Sequence, residues 1–84
     1  MRLDKFLKVS RLIKRRTLAK EVSDQGRIFV NGHEAKASTN IKEGDELTIR
    51  FGQKQITVRV KMVKETSKKE EADEMYEVIR EEQI

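Results

Sequence analysis

Residues 1–20 read MRLDKFLKVSRLIKRRTLAK, and two patterns are superimposed in them. Leu3, Phe6 and Leu7 recur at i, i+3 and i+4, the spacing that places side chains on one face of an α-helix. Lys5 and Lys8 fall on the opposite side of that wheel, and Arg2 borders it. This predicts an amphipathic first helix ending near Ser10. From Ser10 to Arg16, Leu12 and Ile13 stand between Arg11 and Lys14-Arg15-Arg16, so a turn anchored by two aliphatic side chains is expected. Thr17 then reads as the N-cap of a second helix, with Leu18, Ala19 and Val22 facing inward and Gly26 at the C′ position.

The second pattern is charge. Arg2, Lys5, Lys8, Arg11, Lys14, Arg15, Arg16 and Lys20 stand against the single acid Asp4, a local charge of +7 in a chain whose total is +4. Residues 65–84 carry eight acids and three bases, so a basic end is balanced by an acidic one. Such asymmetry is the electrostatic footprint of a nucleic-acid binder.

Working outward, the period changes after Gly26. Ile28 and Val30 alternate with Arg27 and Phe29, and Asn31-Gly32 follows, the strongest short hairpin signal because a type I′ turn needs positive φ at both central residues. His33 to Lys36 is the expected returning strand. Residues 42–45 (Lys-Glu-Gly-Asp) form a turn, and residues 46–51 alternate with Leu47, Ile49 and Phe51 on one face. Gly52-Gln53 reverses the chain into a strand with Ile56, Val58 and Val60 inside and Thr57, Arg59 and Lys61 outside. Ser67 with Glu70 resembles a capping box, and Ala72, Met75, Tyr76 and Ile79 form a helical stripe, so an acidic C-terminal helix is expected. The order α-α-β-β-β-β-α predicts an α+β fold, two N-terminal helices packed on a small antiparallel sheet. Residues 1–63 would form the main domain and 64–84 an acidic helical extension.

Composition narrows the function classes. Eighty-four residues make one small domain, with 36% hydrophobic and 40% charged residues, so burial must be concentrated in a few well-patterned segments. The absence of cysteine leaves no disulfide framework and no thiolate metal site, which fits a reducing compartment. No apolar stretch follows the N-terminal charges, and uninterrupted apolar runs are too short to span a bilayer, so a cytoplasmic location is expected. The short apolar arc is needed for the core, which argues against a helix lying on anionic lipid.

Catalysis finds little support. His33 is the one histidine and directly follows a turn. Glu70, Glu71, Asp73 and Glu74 are spaced as a solvated face, and the isolated glycines make no phosphate-cradling loop. Neither an enzyme, a cofactor nor a metal site is expected. The basic cluster is better placed to neutralise phosphates, since arginine can grip phosphate or a guanine edge with two parallel bonds. Phe6, Phe29 and Phe51 fall at inward or strand positions, so base stacking is scarcely available and structured RNA is the favoured ligand. DNA reading by a helix-turn-helix stays open, although the connection between the helices is long for it.

The ordered set RLDKFL (2–7), SR (10–11), RRT-x-A (15–19), GRI-x-VNG (26–32), K-x-S (36–38) and GDEL (44–47) resembles the S4 RNA-binding domain family. By that resemblance, Arg2, Lys5, Arg11, Lys14, Arg15 and Arg16 lie against RNA phosphates, with Lys8 and Lys20 completing the basic set. Asp4 would orient a neighbouring arginine, and Thr17, Asn31 and Gly32 would support the surface. The length and the tail KKEEADEMYEVIREEQI are most similar to small stand-alone S4 proteins of bacterial ribosome-associated quality control. That likeness implies binding to an obstructed large (50S) subunit, contacting 23S rRNA and P-site peptidyl-tRNA. It also implies support of alanine tailing by an RqcH-type tRNA-recruiting factor. The sequence itself gives no oligomeric state, and a monomer is the simplest expectation. Two alternatives stay open: a heat-shock-type S4 protein that recycles free large subunits, and an adaptor whose basic face meets an acidic protein.

Overall fold

In a computed structural model, described for residues 1–65 and 68–83 and for Lys69 in its backbone only, the first seven-residue helix α1 spans Leu3–Val9. Its apolar arc is fully used: Leu3, Phe6 and Leu7 are completely buried. Two of its early N–H groups, which have no partner within a helix, donate to a loop that folds over it: Leu3 to the Thr39 carbonyl at 2.8 Å and Asp4 to the Ala37 carbonyl at 3.1 Å.

Helix α2 spans Arg16–Asp24. The N-cap is Arg15, in extended conformation, and Thr17 already lies inside the first turn, so the expected Thr17 cap is corrected by two residues. Ala19 and Val22 face the core, but Leu18 does not: it is 48% exposed. At the other end Gly26 takes φ +76°, its N–H bonds the Ser23 carbonyl, and the Arg27 N–H bonds the Val22 carbonyl. These two bonds are the Schellman closure that a C′ glycine permits.

Among the described residues five antiparallel strands follow, β1 Ile28–Val30, β2 His33–Glu34, β3 Glu46–Phe51, β4 Lys54–Val60 and β5 Tyr76–Gln83, in the order β2-β1-β3-β4-β5. The β1–β2 hairpin turns at Asn31 (φ +52°) and Gly32 (φ +85°), as the sequence predicts. The Asn31 amide donates to Asp45 Oδ1 at 3.1 Å and accepts from the Glu46 N–H at 3.0 Å, fastening the turn to the start of β3. Strand β2 is shorter than expected, ending at Glu34. The core between helices and sheet contains Ile28, Leu47, Ile49, Val58, Val60 and Met75.

Three further expectations are corrected. Phe51, at the end of β3 beside the tight turn to Lys54, is 43% exposed rather than inward. Thr57 is buried, next to a register shift between Thr57 and Val58, and its hydroxyl meets that of Thr48 at 3.3 Å. Most importantly, the acidic C-terminal helix is not formed. Among the described residues of this segment only Lys69–Ala72 are helical (α3), and Tyr76–Gln83 become β5 against β4. Without β5, the seven-residue β4 would present a row of unpaired N–H and C=O groups. Tyr76 and Ile79, the half-buried residues of β5, are three apart because Ile79 is the residue the pairing skips, between Val78 opposite Val58 and Arg80 opposite Thr57, which imitates a helical spacing. Of the expected capping box, Glu70 lies in α3 and Ser67 lies outside the described residues.

Candidate nucleic-acid interface

Asp4 is the centre of the basic surface. It sits in the first turn of α1 with its side chain only 4% exposed, and four donors converge on it. Arg2 gives Nε to Oδ1 at 3.1 Å and Nη2 to Oδ2 at 3.3 Å; the Lys5 N–H reaches Oδ1 at 2.9 Å. Arg16, the first residue of α2, brings Nε to 3.5 Å from Oδ2. Burial by itself would push this carboxyl up. The Arg2 bonds, the Lys5 N–H and the Arg16 charge outweigh burial and hold its pKa below the ordinary aspartate value. Asp4 is therefore ionised; it holds the Arg2 guanidinium at the start of its own helix and joins α1 to α2 through that of Arg16.

Those groups remain open outward. The Arg2 and Arg16 side chains are 51% and 50% exposed. A guanidinium has five N–H donors in a rigid fork, and Asp4 occupies only the inward ones. The pair is thus oriented from inside and available from outside, which is the arrangement that phosphate recognition needs.

The other sequence-predicted cations divide into groups. Lys5 is half-buried and pairs with the Glu65 carboxylate of the segment after β4, whose pKa that contact lowers. Lys8, Arg11, Lys14, Arg15 and Lys20 are exposed and make no ion pair among the described residues. Lys14 and Arg15 flank a cleft with Phe51, whereas Lys20 lines a separate groove with Glu21 and Asp24. Thr17 is exposed in that second groove. Asn31 and Gly32 serve the scaffold through the turn described above. No carboxylate and no side-chain cap occupies the first turn of α2, so its leading N–H groups add to a field that favours anions.

Arg11 was singled out for its charge, yet its backbone is the less expected feature. It has φ +64°, one of two non-glycine residues with positive φ among the described residues, and its N–H closes the end of α1 on the Lys8 carbonyl at 3.1 Å. Glycine is the usual occupant of such a position. Phe29 carries a cation–π contact from Arg50 at 5.3 Å, which sequence reading did not anticipate. No group of three or more His, Asp or Glu residues among the described residues is arranged to hold a metal ion, and no described helix is long and apolar enough to cross a membrane.

Comparison with known proteins places this geometry in a family. The S4 domain profile matches residues 1–47, which include the whole Arg2–Asp4–Arg16 cluster. A Bacillus subtilis protein named RQC P-site tRNA stabilizing factor is 69% identical over 84 residues, all of this chain and 98% of the relative. A Halalkalibacterium halodurans protein of the same name is 73% identical, again over all of this chain and 96% of the relative. Among solved structures, the trimeric heat shock protein 15 of Vibrio cholerae superposes with a TM-score of 0.85 at 30% identity, covering 93% of this chain and 80% of that one. The motifs, the two-helix platform on its antiparallel sheet and these matches agree: the chain belongs to the S4 domain family, among relatives named RQC P-site tRNA stabilizing factor.

Proposed function

We propose that this protein is a non-enzymatic RNA-binding factor of bacterial ribosome-associated quality control. It binds the obstructed 50S subunit carrying peptidyl-tRNA, touches 23S rRNA and P-site tRNA, and supports alanine tailing of the stalled chain by an RqcH-type factor. It acts as a monomer in the cytoplasm, on the ribosome. The observation that carries this reading is the Asp4 clamp, which fixes two half-exposed arginines, one at the N-cap of α1 and one at the first residue of α2. The full-length likeness to relatives whose name specifies P-site tRNA supports the choice of RNA.

The mechanism is that of a brace. Arg2, Lys8, Arg11, Lys14, Arg15 and Arg16 neutralise backbone phosphates and release counterions, while the helices and sheet keep the charges in fixed relative positions. Lys5 and Lys20 contribute at the margins, the first shared with Glu65. If five or six phosphates are engaged, log K falls with log salt at a slope of roughly −4 to −5. Rigidity matters because a flexible basic arm would bind but could not hold one RNA against another.

Co-sedimentation with large subunits, with and without peptidyl-tRNA, tests the reading across a salt series. Binding that requires the tRNA and weakens on Arg2→Glu or Arg16→Glu is expected. The fold likeness to heat shock protein 15 favours a second reading, recycling of free large subunits, and tRNA-independent binding would select it. Recovery of an acidic protein without large subunits would select an adaptor instead.

A further inference from the structure

Among the described residues, three large hydrophobic side chains are exposed, and two of them, Leu18 and Phe51, line one cleft. Leu12, Ile13, Lys14 and Arg15 complete its walls, and its volume is about 360 Å³. That is near the lower end of the range for small-ligand pockets, roughly 300–1,000 Å³. Three separate parts of the chain build it: the α1–α2 turn, the first half of α2 and the end of β3. Ile13 is buried and belongs to the core, so the floor is firm.

The chemistry of the lining is selective. An aromatic ring and aliphatic side chains meet two cations, and no carboxylate lines the cleft. The neighbouring cleft on Phe51 differs, since Glu81 stands beside Lys54, Gln55 and Ile56 there. A flat, weakly polar group attached to an anionic chain complements the first cleft, and a nucleotide is such a group. Arg15 is followed directly by Arg16, which Asp4 holds, so the cleft continues the surface assigned to RNA.

We propose that this cleft takes one unstacked nucleobase of the bound RNA, laid against Phe51, with its flanking phosphates on Lys14 and Arg15. The inference rests on the RNA-binding reading above and adds to it a contact that charge alone does not supply. Base–aromatic contact tolerates any base because each has a π-face, so the cleft would fix position without reading sequence. Leu18 and Leu12 hold the base from the sides, which explains an exposed leucine in the first turn of α2.

The test uses the full chain and large subunits carrying peptidyl-tRNA. Phe51→Ala is expected to weaken binding roughly 5- to 150-fold, the range for loss of one stacked base. The salt slope should stay unchanged, because no phosphate contact is lost. Phe51→Trp should retain affinity, and Phe51→Leu should not restore it. A photoreactive benzoylphenylalanine at position 51 should crosslink to a nucleotide. Wild-type affinity for Phe51→Ala, or a crosslink only to protein, would overturn the inference. If Arg16→Glu abolishes binding while Phe51→Ala does not, the nucleobase alone is lost and the RNA reading stands. If wild-type protein binds no large subunit, both fall.

Discussion

Asp4 Oδ2 and Arg16 Nε lie 3.5 Å apart, joining the first turn of α1 to the first residue of α2. The contact makes an acid a positive element of a basic surface. Electrostatics alone says that removing Asp4 should improve RNA binding by adding one net positive charge. The geometry says the reverse. Asp4→Asn is expected to weaken binding to large subunits several-fold and to cost about 1–2 kcal/mol of stability, the discount reflecting half-exposed partners. Urea titration and a binding isotherm on the same variant check both signs.

The same carboxylate gives a pH dependence. Its folded pKa is depressed, so it contributes stability that is present above the unfolded value, near 3.9, and lost as pH falls through the folded one. The stability difference between wild type and Asp4→Asn should therefore be constant at neutral pH and shrink below about pH 4. Paired denaturation curves across that window measure it.

Arg11 separates backbone from charge. An L-residue in the left-handed region costs on the order of 1 kcal/mol, and Arg11 holds φ +64°. Arg11→Gly should raise stability by about that amount and lower RNA affinity, whereas Arg11→Lys should leave both nearly unchanged. Thermal melts and binding assays on the two variants distinguish the effects.

Strand β5 can be tested through charge pairing. Arg59 on β4 reaches Glu46 on β3 at 3.5 Å and Glu77 on β5 at 3.8 Å. Arg59→Glu should destabilise the fold by about 0.5–1 kcal/mol, and adding Glu77→Lys should restore part of it. A coupling of zero between positions 59 and 77 would mean that this exposed pair adds no stability across the β4–β5 edge.

The parts of the fold that were legible in the sequence are those with local causes. The Leu3-Phe6-Leu7 arc marks α1, Gly26 marks the end of α2, and Asn31-Gly32 marks the hairpin, because each signal resides in a few adjacent residues. Leu18 and Phe51 were misplaced because periodicity assigns a face but not what covers it. Thr57 and β5 depend on a register shift and on an unpaired edge strand, both of which arise only once β4 is in place. The basic set was legible as charge. Its division by Asp4, Glu65 and the Phe51 cleft was not, since those contacts join residues distant in sequence or turn on exposure.

The Asn31-Gly32 turn also sets a chemical lifetime. An Asn-Gly step is prone to deamidation, because a glycine N–H meets little hindrance in attacking the asparagine side-chain carbonyl, and asparagine is among the thermolabile residues. Here that amide is gripped at both ends, by Asp45 at 3.1 Å and by the Glu46 N–H at 3.0 Å, so the ring-closing step requires the latch to open first. Ageing at this turn thereby becomes a record of time spent open. The damage is also self-reinforcing: the new carboxylate would face that of Asp45, replacing a fastening with a repulsion.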